Sequence, residues 1–100
     1  MAGKITEEIS KDLEVLIPGF MDNTYREIKD LETALKCDNL TDVLRIGHNI
    51  KGSALNYGFN QLAEIGRGIE ISAADKRKRQ VYTLLNELKC YAEQVEIIFV

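Results

Sequence analysis

The stretch that decides the fold is Asn39-Leu-Thr-Asp-Val-Leu-Arg-Ile-Gly-His48-Asn-Ile-Lys-Gly-Ser-Ala-Leu-Asn-Tyr-Gly58-Phe-Asn-Gln-Leu-Ala-Glu-Ile-Gly-Arg-Gly-Ile-Glu70-Ile-Ser-Ala-Ala74. Its apolar residues recur at helical spacing on both sides of Gly58-Phe59. Asn39 or Thr41 can cap a helix running to about Asn56, and Gly58 is placed to end it in a left-handed conformation. Asn60 then caps a return helix bearing Leu62, Ile65, Ile69 and Ala73. The segment is a helical hairpin.

The same period extends outward. Thr6, Glu7 and Glu8 read as the start of a short first helix ending near Leu16. Pro18 suits the first turn of a second helix, whose inner stripe is Phe20, Thr24, Ile28, Leu31 and Leu35. Asp38-Asn39 is a turn. Asp75 is expected to cap a last helix with Val81, Leu84, Leu85, Leu88, Ala92, Val95 and Phe99 on one face. Cys90 and Ile97 fall on its other side, where the first helix can cover them or a contact surface can use them. Short turns between long amphipathic helices imply an all-α chain: an antiparallel up-down four-helix bundle with a short additional N-terminal helix.

Composition bounds the function. One hundred residues, 45% apolar and 29% charged, fit one helical domain over residues 1–100. A net charge of −3 gives no general attraction to nucleic acid or to an anionic membrane. No stretch approaches a membrane span and no secretory signal opens the chain, so a cytoplasmic location is expected. Met1 reads as a genuine N-terminus, although a domain of a larger kinase stays open. Cys37 and Cys90 form no C-x-x-C pair and read as reduced thiols, and a single histidine cannot complete a Cys/His zinc site.

That histidine is the informative residue. On a helical wheel Val43, Gly47, Ile50, Ala54 and Tyr57 share the core side, and His48 falls about 140° away, toward solvent. Lys51 and Gly52 follow one turn later on the same surface. Leu44 and Leu55 flank them as a small apolar rim, and Arg45 borders the other side. Neutral imidazole is a good nucleophile near pH 7, because its unperturbed pKa is ~6.5. Lys51 can attract an anionic group. Gly52 removes a side chain where a partner must approach, at a cost of ~1 kcal/mol to the helix. Counting from the hairpin turn at Phe59 puts Glu70 level with His48 and Arg67 level with Lys51. Glu70 can then accept a hydrogen bond from one imidazole nitrogen and leave the other free to attack.

His48, Lys51, Gly52, Ser53 and Gly58 fit the motif H-x-x-K-G-[SG] with a glycine ten residues after the histidine. In this the chain resembles histidine-containing phosphotransfer (HPt) domains. The resemblance implies that His48 is phosphorylated, that Lys51 faces the phosphoryl group, that Gly52 makes space and that Glu70 bonds the imidazole. It also implies partners: response-regulator receiver domains, which supply Mg²⁺, so that this chain needs no cofactor of its own. Many relay members carry glutamine where Glu70 stands. The phosphotransfer domain of chemotaxis histidine kinases carries glutamate, and the Gly58-Phe59 pair is similar to that subgroup. Two phosphotransfer readings follow, relay between receiver aspartates and substrate of an ATP-using kinase domain. A helical adaptor that only docks partners is the alternative of another class. No nucleotide-binding glycine-rich motif is present, so no autonomous kinase activity is expected.

Two features stand apart from the motif. Gly47, Gly66 and Gly68 read as points where helices nearly touch. The run Lys76-Arg77-Lys78-Arg79 sits at the unfavourable, positive end of a helix dipole. It reads as a solvated first turn or as a contact for an acidic partner.

Overall fold

The computed structural model describes residues 4–100. Four helices carry the chain: α1 (Ile17–Lys36), α2 (Leu40–Tyr57), α3 (Asn60–Ala74) and α4 (Lys78–Gln94). Helix α1 packs on α2 and α4, and α3 packs on the same two, which closes a ring around one core. The expected inner stripe of α1 is buried from Phe20 to Leu35. Thr24 sits on that apolar stripe because its hydroxyl donates to the Phe20 carbonyl at 3.1 Å. The Phe20 ring stacks on Phe59 at 4.5 Å and tilts against Tyr57 at 4.6 Å, tying α1 to the α2–α3 turn.

The three helix connections close in the same way. At the end of α2, Gly58 adopts φ 90°, Gly58 N–H donates to the Leu55 carbonyl and Phe59 N–H to the Ala54 carbonyl. That is the paired closure of a helix end with a left-handed residue. Asp38 (φ 56°) and Lys76 (φ 58°) do the same for α1 and α3, with Asn39 N–H bonded to the Ala34 carbonyl and Arg77 N–H to the Ser72 carbonyl. Lys78 Nζ lies 2.7 Å from Asp38 Oδ1, joining two of these turns at one end of the bundle. Asn39 caps α2, its side chain accepting from Asp42 N–H at 3.1 Å. Asp75 does not cap the last helix; it ends α3, and α4 starts at Lys78. Lys76 and Arg77 therefore belong to the turn, so only half of the basic run meets the helix dipole.

The expected N-terminal helix is replaced. Residues Thr6–Ile9 form strand β1, and Lys11–Leu16 form a 3₁₀ helix capped by Ser10. The last expected helical turns are also extended: α4 stops at Gln94 and Glu96–Phe99 form strand β2, parallel to β1, with Thr6 opposite Glu96 and Ile9 opposite Phe99. The β-branched run Val95, Ile97, Ile98 and Val100 favours extended backbone over helix. Ile97 is partly buried against the core, while Cys90 stays exposed.

Glu7 accounts for a second departure. Asn60 opens α3 without capping it; the cap arrives from β1. The buried Glu7 carboxylate accepts from Gln61 N–H at 3.0 Å, from Leu62 N–H at 3.3 Å and from the Tyr91 hydroxyl at 2.7 Å. An anion at a helix N-terminus satisfies free N–H groups and the dipole together. Burial, then the bond to Glu7, push the Tyr91 hydroxyl's pKa upward, so it stays a donor.

Helices α2 and α3 make the closest contact. A Cβ on Gly47 would stand 2.8 Å from Glu70 N and 3.0 Å from Gly66 O, and one on Gly66 would stand 2.7 Å from Lys51 N. Gly47 meets Glu70 while Lys51 meets Gly66, so the two helices run in opposite directions. Gly68 packs more loosely, with a would-be Cβ 3.2 Å from Leu84 of α4. Gly52 has nothing within 4 Å of a would-be Cβ. Two opposite outcomes are expected in urea denaturation. Gly47→Ala should destabilise the chain by about 1–3 kcal/mol, because a backbone atom blocks the methyl. Gly52→Ala should stabilise it by about 0.5–1 kcal/mol, by lowering the entropy of the unfolded chain and improving helix propensity. Equal effects at the two positions would contradict the close crossing.

Candidate functional site

The crossing of α2 and α3 fixes what stands on its rim. Gly47 faces α3, so its neighbour His48 projects outward, with its side chain 61% exposed. Glu70 stands across from it on α3. His48 Nδ1 lies 2.9 Å from Glu70 Oε2, and Lys51 Nζ lies 2.9 Å from Glu70 Oε1. One carboxylate thus holds the histidine with one oxygen and the lysine with the other.

The electrostatics decide the proton positions. The Lys51 hydrogen bond foremost, and the His48 bond after it, hold the Glu70 carboxyl below the usual carboxylate range, against partial desolvation. Glu70 is therefore an anion at neutral pH and can only accept. In the neutral ring Nδ1 must then carry the proton, and the lone pair belongs to Nε2. Because the Glu70 pKa is lowered, the anion and its bonds persist above the ordinary carboxylate range and are lost only on acidification below it.

The surroundings divide the other expected residues. Gly52 leaves open space one turn beyond His48, and nothing inside the chain requires a glycine there. Leu55 is 59% exposed. Leu44 is a core-edge residue, partly buried and packed against the interior. Arg45 is exposed and pairs with Asp42 on its own helix at 3.6 Å. Arg67 pairs loosely with Glu64 at 4.0 Å and is not part of the His48–Glu70–Lys51 group. The Lys51 amine is engaged by Glu70. The hairpin count placed Glu70 level with His48 only; its bond to Lys51, a residue one turn on, needed the reach of a lysine side chain to be considered. Glu7, read as a helix start, was missed because its partners lie more than fifty positions away.

Among the described residues no cluster of His, Cys, Asp and Glu could hold a metal ion. No helix among these residues is long and apolar enough to cross a membrane. A groove of about 760 Å³ lies between α3, α4 and Ile5, lined in part by Ile65, Cys90 and Tyr91. It does not include His48.

The tautomer is open to direct test. In ¹⁵N spectra above the ring's titration, His48 should carry its proton on Nδ1. In Glu70→Ala the Nε2–H form should become dominant, as in an unconstrained imidazole. An identical tautomer ratio in both proteins would refute the assigned bond.

Comparison with protein-family models identifies the Hpt domain, matched over residues 15–96. No curated protein and no solved structure matches the chain.

Proposed function

Because the chain belongs to the Hpt domain family, whose members carry phosphoryl groups on histidine in two-component phosphorelays, we propose that His48 is the residue phosphorylated here, accepting from one receiver aspartate and donating to another. The observation that carries this reading is the Glu70 carboxylate on His48 Nδ1, which leaves Nε2 unprotonated on an exposed face. In the forward step the Nε2 lone pair attacks phosphorus of an aspartyl phosphate. The N–P bond forms as the P–O bond breaks, and the electron pair leaves on the aspartate carboxylate. The ring keeps its Nδ1 proton and gains positive charge, which Glu70 balances. Lys51 turns from Glu70 toward the incoming phosphoryl oxygens as a point charge. Reversal of these steps hands the group to the second receiver.

The chain then acts as a carrier and supplies no kinase activity of its own. Mg²⁺ and most of the reactive groups come from the receiver domain. The open surface at Gly52 admits that partner, Leu55 and the edge of Leu44 give it an apolar footing, and Arg45 and Arg67 border it with charge. The setting is cytoplasmic, where receivers work. The helices are read as an up-down bundle. Connections of two or three residues span at most about 10 Å, too little to return the chain along a helix of fifteen residues.

A second reading, substrate of a chemotaxis-type kinase domain, is favoured by one feature: the acceptor on Nδ1 is a carboxylate shared with Lys51. Donors separate the two. Incubation with a phosphorylated receiver, and separately with a kinase domain and ATP, should give acid-labile label on the wild type and none on His48→Gln. Glu70→Gln should keep receiver transfer and lose kinase-driven labelling if the second reading holds. No label from any cognate donor would leave only a docking adaptor.

Close approach gives a further expectation. Gly52→Gln should keep the helical circular dichroism and slow transfer by about tenfold or more, since a partner displaced by about 1 Å loses reaction rate steeply. Equal transfer rates would remove Gly52 from the site.

A further inference from the structure

The strand ladder leaves one edge open, and that edge fits itself. The terminal bonds fix the alternation: Glu96 N–H donates to the Ile5 carbonyl, Val100 N–H to the Ile9 carbonyl, and Lys11 N–H to the Val100 carbonyl. Residues 96, 98 and 100 of β2 therefore face β1, and the N–H and C=O groups of Ile97 and Phe99 point the other way. The outer edge of β1 is partly covered by the start of α3 and the Gly58 turn. Gln61 Nε2 donates to the Thr6 carbonyl at 2.8 Å, and the Glu8 carbonyl lies 4.0 Å from where a Cβ on Gly58 would stand. Nothing comparable covers β2 among the described residues. Its exposed side carries Ile98 and Val100, 47% and 68% exposed.

We propose that β2 pairs antiparallel with β2 of a second copy of this chain, around a twofold axis at Ile98, giving a four-stranded sheet across two molecules. The outward groups at residues 97 and 99 are spaced for this. Ile97 of each copy exchanges two hydrogen bonds with Phe99 of the other, and the two Ile98 side chains meet as the closer, non-bonded pair between them. The twofold operation satisfies four donors and four acceptors with a single patch. Charge selects the antiparallel sense. A parallel in-register pair would stack Glu96 on Glu96, whereas the antiparallel pair sets each Glu96 opposite the uncharged Val100 side chain. One short strand edge buries well under the ~800 Å² per partner of a standard interface, so the dimer is weak and dissociable. An open, apolar edge of this kind is one that proteins otherwise block.

Sedimentation equilibrium on the full chain, from about 10 μM to about 1 mM, spans the affinities of such small interfaces. The weight-average mass should rise from 11.3 kDa toward twice that value. Ile98→Lys and Ile98→Glu should each weaken association by about tenfold or more, by facing like charges at the axis. Their equimolar mixture should associate again. Both variants should keep the helical circular dichroism, since Ile98 is half exposed. In the wild type, amide exchange at Ile97 and Phe99 should slow as concentration rises. A monomer at every concentration, unchanged association of Ile98→Lys, exchange at these two amides independent of concentration, or a mixture no heavier than either variant alone would overturn the proposal.

Discussion

The contact of Gly47 with Gly66 is the constraint on which the rest of the structure depends. Two helices approach so closely there that a methyl group on either would meet backbone of the other. That approach sets the rotation of α2, because the residue facing α3 must be the one without a side chain. His48 is then turned outward, and Glu70, whose backbone lies against Gly47, is brought level with it. The His48–Glu70 distance of 2.9 Å follows from packing several ångströms deeper. The glycines cost helix propensity, roughly 1 kcal/mol each. The chain recovers this as precise placement of an exposed imidazole against a carboxylate.

Glu70 acts in two directions. Toward His48 it fixes which nitrogen keeps the lone pair; toward Lys51 it holds a cation beside the same ring. A lysine left free would be mobile, with several rotamers to freeze when an anion arrives. Held by Glu70, it is already near the ring, and moving it to a phosphoryl group exchanges one anionic partner for another. Under the proposed phosphotransfer, the carboxylate is then released to balance the charge that develops on the imidazole.

Most of the helical architecture was legible in the sequence because its causes are local. The stripe from Phe20 to Leu35, the Asn39 cap and the left-handed Gly58 each depend on residues within a few positions. The level pairing of His48 with Glu70 was legible too, since a tight turn makes counting reliable along an antiparallel pair. The ends of the chain were not. Thr6-Glu7-Glu8 has the composition of a helix start, and the strand it forms exists only because Glu96–Phe99 lies beside it. Glu7 looked like a first-turn acid and serves as the cap of α3. Asp75 looked like a cap and instead ends α3, because Lys76 takes the left-handed position after it. Arg67 fell level with Lys51 by counting, but a solvated side chain has a nearer partner in Glu64.

The strand ladder also carries a consequence for how the molecule folds. Glu7 and Tyr91 are 84 positions apart, and the hairpin contacts of α2 and α3 are far more local. Closing a loop that long costs more chain entropy than closing a hairpin, and the cost must be met before β1, β2 and the cap on α3 contribute. The helical hairpin that carries His48 can therefore assemble early, with the strands and the Glu7 cap joining last.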